Sequence, residues 1–300
     1  MRCTKEVLSY FCAILAGLAL GYTPFAVHGQ ELVNFPIAPT SGTQSSERAE
    51  AVFSRPSTPN AGSKLPAVVL LHSGWGWSDQ HEGVSLYAQA LQKAGFATLE
   101  LHMFPTHRFA KAGGPTAYLP ELFGSLNYLA SNSEIDPNRI GVAGYSFGGF
   151  LALVAATSWA NKTYGKTGQQ FSAYAPFYPV CWLLKANAQG RKSPVPTEAW
   201  MDWTGKPIRI FAGAIDDYDN RDPNTCQEAV DALPASQRST FSVQVYPDAT
   251  HGWDQPVGAS FFEKQACKGR GCNNTNRPNK QVAEQSTKDL IEFMLKNLAR

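Results

Sequence analysis

The sequence lacks several features that would assign it to a particular class of protein. Its 300 residues include 26 lysines and arginines against 24 acidic residues, and the basic residues form no run. A net charge of +2 without a basic cluster argues against nucleic acid or an anionic surface as the main partner. No Cys-x-x-Cys pair occurs, and His81-Glu82 does not extend to the H-E-x-x-H pattern of zinc peptidases. We therefore predict neither a metal site nor a cofactor.

A hydrophobic run long enough to cross a bilayer is also missing. The most apolar stretch, Val7–Leu20, is shorter than the roughly 20 residues that a membrane helix requires. Basic residues precede it. The small residues Val27 and Gly29 follow it, at the −3 and −1 positions of a signal-peptidase cleavage site before Gln30. We predict a signal peptide over residues 1–29 and a secreted or periplasmic mature protein without stable membrane association. An uncleaved N-terminal anchor is the alternative.

Cysteine is scarce, and two of the six cysteines lie within the predicted signal peptide. The remaining four form an even set, which suggests disulfides in an exported chain. Cys267 and Cys272 bracket a short Lys-Gly-Arg-Gly loop and are natural partners, which leaves Cys181 for Cys226. Free buried thiols are the alternative.

Strand-like and helix-like segments alternate from residue 66 onward. This alternation predicts an α/β fold in one domain over residues 30–300, with a mostly parallel central sheet and helices on both faces. Such sheets carry their functional sites at the carboxyl ends of the strands. The irregular segment 185–205 is expected to pass over that end, near a substrate pocket. Predicted strands are 66–73, 96–103, 139–145, 171–179, 207–214 and 241–247, with an edge strand near 51–54, and predicted helices are 79–94, 118–131, 147–160, 223–233 and 282–298.

The segment VAGYSFGG (142–149) places a serine on a sharp bend between a predicted strand and a predicted helix. Gly144 and Gly148 flank Ser146 at two residues on either side, and small residues there let the backbone reverse direction. This is the nucleophile-elbow pattern G-x-S-x-G, in which the following helix N-terminus favours developing negative charge. We predict Ser146 as a nucleophile. A tight glycine turn with an incidental serine is the alternative.

A serine hydroxyl needs a base, and the base needs an orienting acid. In this type of fold the three residues follow one another as serine, acid and histidine. His251 is the only histidine after Ser146, and it lies in the loop beyond the last predicted strand. The acid is sought in FAGAIDDYDN at the end of the preceding strand. We predict Asp216, with Asp217 as the alternative.

Two backbone N–H groups are needed to stabilise an oxyanion. We expect one from Phe147, directly after the nucleophile, and the other from Gly74 in the loop LHSGWGW (71–77), with Ser73 as the next candidate. His72 is expected to support this loop, and a role as a second base is the alternative.

Aromatic residues near these loops are candidates for binding substrate. We predict that Trp75, Tyr145, Trp182 and Trp253 line the pocket, and the alternative is that some of them pack in the core. Arg108, after a predicted strand, is a candidate to hold a substrate carboxylate in a bidentate manner, and a surface salt bridge is its alternative.

Four segments between residues 65 and 255 together resemble the dienelactone hydrolase family of α/β-hydrolases. They are PAVVLLHSGWG, DPNRIGVAGYSFGGFLAL, GAIDDYDN with a following cysteine, and ATHGW. The resemblance implies hydrolysis of an ester or lactone through an acyl-enzyme, and it supports the pairing of Cys181 with Cys226. The namesake enzymes of the family use a cysteine nucleophile where this chain has Ser146, so dienelactone itself is not implied as the substrate.

These observations predict a serine hydrolase that acts on a small-molecule ester or lactone. A serine peptidase or an acyltransferase on the same fold is the alternative among enzymes, because all of them form an acyl-enzyme. A non-catalytic binding protein that kept the fold is the alternative outside enzymes, and the complete set of candidate catalytic residues argues against it.

Overall fold

The computed structural model describes residues 29–39, 46–57, 63–77, 81–105, 114–166, 168–191, 193 and 195–298. The predicted signal peptide, apart from its last residue, lies outside the described residues, and so does Arg108. Within the described part of the chain, no helix combines the length and the apolar character needed to span a bilayer.

The described residues form ten strands and nine α-helices. The strands are β1 (Gln30–Pro36), β2 (Arg48–Ser54), β3 (Leu65–Leu71), β4 (Ala97–His102), β5 (Ile135–Tyr145), β6 (Ala173–Phe177), β7 (Ile208–Gly213), β8 (Phe241–Tyr246), β9 (Ala259–Glu263) and β10 (Cys272–Asn276). The helices are α1 (His81–Lys93), α2 (Leu119–Ser131), α3 (Phe147–Ala155), α4 (Ser158–Tyr164), α5 (Cys181–Ala188), α6 (Thr225–Asp231), α7 (Ala235–Arg238), α8 (Ala266–Gly269) and α9 (Lys280–Leu298).

Eight strands form the central sheet in the order β1-β2-β4-β3-β5-β6-β7-β8. The pairs from β4 to β8 are all parallel, whereas β2 is antiparallel to both of its neighbours. A mixed α/β fold with a mostly parallel sheet confirms the predicted fold class, and β3 to β8 correspond to the six predicted strands.

Apolar residues cover both faces of this sheet, as a buried parallel strand requires. Val69 and Leu71 of β3 belong to the core under α2 and α3, whereas Val68 and Leu70 belong to the core under α1 and α9. Successive side chains of a strand point to opposite faces, so one apolar run serves both layers. The sheet is thereby fixed from both sides, and the loops at its carboxyl edge rest on a rigid base.

Several elements differ from the sequence-based expectation, and the short helices α5, α7 and α8 were not predicted at all. Residues 30–36 form the edge strand β1 against β2, and the sequence did not predict this strand. The helix predicted over 147–160 is two helices, because Thr157 takes an extended conformation and its side chain caps α4 by accepting from the N–H of Ala160. The segment 247–281 contains the antiparallel hairpin β9–β10, which the sequence did not predict.

Two disulfides tie the loops at the carboxyl edge together. Cys181 at the start of α5 is bonded to Cys226 in α6, and Cys267 is bonded to Cys272 across the loop of the β9–β10 hairpin. These are the pairs expected from the sequence. Disulfides persist in oxidising compartments, so the pairs suggest an extracellular or otherwise oxidising environment.

Candidate active site

Ser146 lies on the sharp turn that joins β5 to α3. Its backbone has φ 52° and ψ −107°, an unusual conformation for a residue with a side chain. The turn is held by a hydrogen bond of 2.9 Å from the Ser146 N–H to the Phe177 carbonyl of β6. A Cβ atom on Gly144 would lie only 2.1 Å from the carbonyl oxygen of Gly148. The strained turn therefore needs the glycine that the sequence provides.

The side chains of Ser146, His251 and Asp216 form one continuous hydrogen-bonded chain. Nε2 of His251 lies 2.8 Å from Oγ of Ser146, and Nδ1 lies 2.8 Å from Oδ2 of Asp216. His251 and Asp216 are buried, whereas Ser146 is partly exposed. If Nδ1 carries the proton donated to the carboxylate, Nε2 is free to accept the serine proton. This is the arrangement that general-base activation of a serine requires.

Asp216 and His251 come from loops that contact each other. Asp216 follows β7 and His251 follows β8, and the N–H of Ile215 donates to the Ala249 carbonyl at 3.1 Å. A Cβ atom on Gly213 would lie 2.4 Å from that same carbonyl oxygen. The close backbone approach brings the two strand ends together and sets the distance between carboxylate and imidazole.

The neighbouring acidic residues have other partners. Asp217 accepts from Nε of Arg221 at 2.7 Å and from the N–H of Thr275 at 2.9 Å. Asp219 accepts from the N–H groups of Cys181 and Trp182 at the start of α5. Burial and the nearby charge of Asp216 raise the pKa of Asp219 to about 7. Of the three aspartates in this loop, Asp216 is the one within hydrogen-bonding distance of the imidazole.

Gly74 and Phe147 lie beside Ser146 on the wall of one cavity. Their backbone N–H groups come from the loop after β3 and from the first residue of α3, where a helix N-terminus favours negative charge. Stabilisation of an oxyanion needs two such backbone N–H groups near the nucleophile.

His72 anchors the loop that carries Gly74. Its Nδ1 lies 2.8 Å from the Ser73 carbonyl, and its Nε2 accepts from the N–H of Met103 at 3.1 Å, so Nδ1–H is the donor. Burial lowers the pKa of His72 to about 4, which keeps the ring neutral. Both ring nitrogens are engaged with the backbone, and this supports a role in holding the loop over a role as a second base.

The cavity at Ser146 has a volume of about 400 Å³, within the range that suits a small-molecule ligand. Aromatic and aliphatic side chains form most of its wall, and polar groups come mainly from the segment 187–193 and from the β9–β10 hairpin. The lining residues are Ser73, Gly74, Trp75, Pro115, Ser146, Phe147, Phe150, Tyr178, Pro179, Val180, Leu183, Asn187, Arg191, Ser193, Tyr218, His251, Gly252, Gln255, Phe261, Glu263, Gln265 and Asn276.

Of the aromatic residues predicted to bind substrate, Trp75 lines the cavity and three others do not. Tyr145 is buried and stacks on Tyr87 with ring centroids 4.8 Å apart, because it precedes Ser146 and points to the opposite face of the sheet. Trp253 is buried and donates from Nε1 to Ser286 of α9. Trp182 donates from Nε1 to the Gln265 carbonyl. The prediction for these three residues is wrong, and they pack beneath or beside the cavity. The proposed role of Arg108 falls on a residue outside the described part of the chain.

Sequence reasoning missed several aromatic rings that line the cavity, among them Phe150, Tyr178, Tyr218 and Phe261. Tyr178 directly follows β6, and Tyr218 lies two residues beyond Asp216, so both have the strand-end position that identified the other site residues. Phe261 lies on β9 and had no such signal, because the hairpin was not predicted. The irregular segment expected near the pocket contributes Asn187, Arg191 and Ser193.

One group among the described residues has the spacing of metal ligands. It consists of Cys181, Cys226 and Asp219, whose candidate ligand atoms lie within 4.8 Å of one another. The two sulfurs are bonded to each other in a disulfide. A metal would need thiolates, so this group does not fit a metal site.

Solved esterase structures share the fold at low sequence identity. Est1E from Butyrivibrio proteoclasticus superposes with a TM-score of 0.57 at 16% identity and covers 89% of this chain and 100% of its own. Esterase 2 from Thermogutta terrifontis, phosphorylated by paraoxon, gives 0.59 at 14% identity with 90% and 94% covered. The Pyrococcus furiosus esterase Pf2001 gives 0.56 at 16% identity with 90% and 93% covered. At such identity the likeness shows an α/β-hydrolase fold.

No curated protein sequence matches this chain. The model of the dienelactone hydrolase family, in contrast, matches residues 50–296, which is most of its length. The matched region includes the serine elbow, the aspartate loop and the histidine loop. The chain therefore belongs to the dienelactone hydrolase family, a family of carboxylic ester hydrolases.

Proposed function

We propose that this carboxylic ester hydrolase uses Ser146 as the nucleophile of an acyl-enzyme mechanism, with His251 as the base and Asp216 as the orienting acid. The observation that supports the proposal most directly is the pair of 2.8 Å contacts that place His251 between the serine hydroxyl and the carboxylate. A cysteine is the nucleophile in the namesake enzymes, and here the serine occupies the elbow.

The proposed reaction follows from this arrangement. Oγ of Ser146 attacks the ester carbonyl carbon while its proton moves to Nε2 of His251, and Asp216 stabilises the imidazolium. The N–H groups of Phe147 and Gly74 stabilise the negative oxygen of the tetrahedral intermediate. Collapse releases the alcohol, which takes the proton from His251. A water molecule then attacks the acyl-enzyme by the same proton route and releases the acid.

The cavity favours a small ester with an apolar part. Trp75, Phe147, Phe150, Tyr178 and Phe261 supply an aromatic wall next to Ser146, and such walls favour flat or apolar groups. Est1E has been solved with ferulic acid bound, which makes esters of aromatic acids a useful part of a substrate panel for this chain. A volume of about 400 Å³ is within the range for a small-molecule ligand. We also propose that residues 1–29 direct export, in keeping with the two disulfides.

Ser146→Ala tests the proposed nucleophile. We expect hydrolysis of p-nitrophenyl acetate to fall by at least about 10³-fold, because the residual rate comes only from binding and the oxyanion donors. Labelling by a fluorophosphonate should disappear as well, while circular dichroism stays unchanged. Labelling of the variant at the wild-type level would show that another residue is the nucleophile. Anilide analogues of the best esters separate esterase from peptidase, and added alcohol acceptors reveal acyl transfer.

A further inference from the structure

A buried carboxylate next to the site has no part in the mechanism described above. Asp254 lies three residues beyond His251 and is buried. Its oxygens accept from the hydroxyl of Tyr178 at 2.6 and 2.9 Å and from Nε2 of Gln255 at 3.2 Å. Within the described part of the chain, Asp254 forms no ion pair. Burial raises the pKa of Asp254 above its ordinary range. A buried acid without a cation costs stability, so its presence calls for a compensating role.

Tyr178, the main partner of Asp254, has an unusual backbone. Its φ is 36°, in the left-handed region that residues with a Cβ atom rarely adopt. Its N–H donates to the Phe211 carbonyl at 2.7 Å, and its ring forms part of the cavity wall. Strained residues of this kind persist where the surroundings hold them, and they cluster at functional sites.

The ring of Tyr178 contacts the imidazole of His251 directly. The two ring centroids are 4.8 Å apart, with an edge-on angle of 65°. Tyr218 contacts the same imidazole at 4.2 Å. These rings limit how far the imidazole can tilt out of line with Ser146 and Asp216. The position of Tyr178 is in turn fixed at its far end by the bond to Asp254.

We propose that Tyr178 and Asp254 are a positioning pair that holds the imidazole of His251 in line with Ser146 and Asp216. The proposal rests on the proposed function, since it concerns the base of that reaction. Asp254 stays out of contact with the reacting atoms and acts through Tyr178. A displacement of a catalytic group by about 1 Å can cost roughly 10²-fold in rate. A gain in rate of this kind would compensate for the stability that the protein loses by burying Asp254.

Tyr178→Phe keeps the ring and removes the hydrogen bond to Asp254. We expect kcat per active serine to fall roughly tenfold, because the unanchored ring no longer restrains the imidazole, with KM within about twofold of wild type. The active serines are counted by fluorophosphonate titration. A purely structural role would lower the titratable fraction but leave kcat per titrated serine unchanged.

Variants of Asp254 test whether the effect passes through this bond. Asp254→Asn keeps an acceptor oxygen and should retain most of the rate, whereas Asp254→Leu should be at least as slow as Tyr178→Phe, because it also removes the hydrogen bonds of the carboxylate with Gln255 and Tyr87. The double variant Tyr178→Phe/Asp254→Leu should be no slower than the slower single variant, because both remove the same interaction. If Asp254→Leu does not fold, Tyr178→Phe and Asp254→Asn still decide the question.

Tyr246→Phe is the matched control. Tyr246 donates to Oδ2 of Asp289 at 2.7 Å, another tyrosine–aspartate bond, and it does not line the cavity. The control should have the wild-type kcat per titrated serine. A rate within twofold of wild type for Tyr178→Phe, or an equal loss in the control, would overturn the proposal. Full activity of Ser146→Ala would instead overturn the proposed function. The two failures are therefore distinguished by which variant keeps its activity.

Discussion

At the scale of single residues, two adjacent aspartates after β7 have different partners. Asp216 binds the imidazole and also accepts from the N–H of Tyr218 at 2.8 Å. Asp217 binds Arg221 and the N–H of Thr275 on β10. Neighbouring side chains diverge here, so one carboxylate contacts the imidazole while the other fastens the hairpin to the loop. The sequence alone left the choice between them open.

Replacing each aspartate by asparagine separates these roles. Asp216→Asn should lower kcat by on the order of 10⁴, because an amide no longer favours the imidazole tautomer with a free Nε2. Asp217→Asn should cost less than about tenfold, since it acts on the loop alone. The measurement is kcat for both variants on one ester, with circular dichroism to confirm folding. A larger loss for Asp217→Asn than for Asp216→Asn would show that Asp217, and not Asp216, is the acid that orients His251.

The candidate triad was predictable because each member follows a strand that the apolar runs had located. Its residues follow β5, β7 and β8, and the carboxyl ends of parallel strands meet at one edge of the sheet. Orientation was harder to predict than position. Tyr145 is adjacent to Ser146 but points to the other face of the sheet, and Trp253 is near His251 but packs on α9 through Ser286. Closeness in sequence to a site residue does not tell which way a side chain points.

At the scale of elements, the β9–β10 hairpin forms one wall of the cavity. It is fastened to the loop after β7 by bonds from the N–H of Cys267 to the Asp217 carbonyl and from the N–H of Lys268 to the Tyr218 carbonyl. Phe261 on β9 meets Trp75 of the loop after β3 edge-on, with ring centroids 5.4 Å apart. Since both rings line the cavity, this contact bounds its size.

Adjacent phenylalanines on β9 allow a matched test of that wall. Phe261→Ala should open the cavity and raise the ratio of kcat/KM for p-nitrophenyl octanoate over acetate by roughly fivefold or more, as expected for a change in the apolar area of a pocket. Phe262→Ala is the control, because Phe262 points outward and is 65% exposed. The ratio should stay near the wild-type value in the control. Equal shifts in both variants would show that the hairpin does not select substrates through Phe261.

The hairpin could not be predicted from its own residues. The strand β10 reads Cys-Asn-Asn-Thr-Asn, and asparagine disfavours strands. Its stability comes from a disulfide across its loop and from bonds to a loop about fifty residues earlier, which no local pattern shows. The central parallel strands were predictable for the opposite reason, because strands such as β3 and β6 are short apolar runs buried on both faces, whereas the edge strand β8 alternates between buried and exposed residues.

At the scale of the whole molecule, the burial of the sheet changes the acidity of one of its own residues. Glu100 lies on β4, paired with Leu70 of β3 and Val52 of β2. Burial raises the pKa of Glu100 from its ordinary value of 4.5 to about 7. At a pH between 4.5 and about 7, the carboxyl group of Glu100 is therefore protonated in the folded protein and ionised in the unfolded protein.

The free energy of unfolding should therefore depend on pH through Glu100. The stabilising contribution of the protonated acid is complete below about pH 4 and is lost as the pH rises through 7, because the folded state must then bury a charge. Glu100→Gln is neutral at every pH and removes this dependence. The free energy of unfolding of the variant, relative to that of wild type, should rise by on the order of 3 kcal/mol between pH 4 and pH 8.5. The reason is that each pKa unit of difference between the folded and unfolded states is worth about 1.4 kcal/mol. Urea unfolding of both proteins with intact disulfides, at four pH values across this range, measures the difference. A difference that stays constant with pH would show that the carboxyl of Glu100 is solvated in the folded protein.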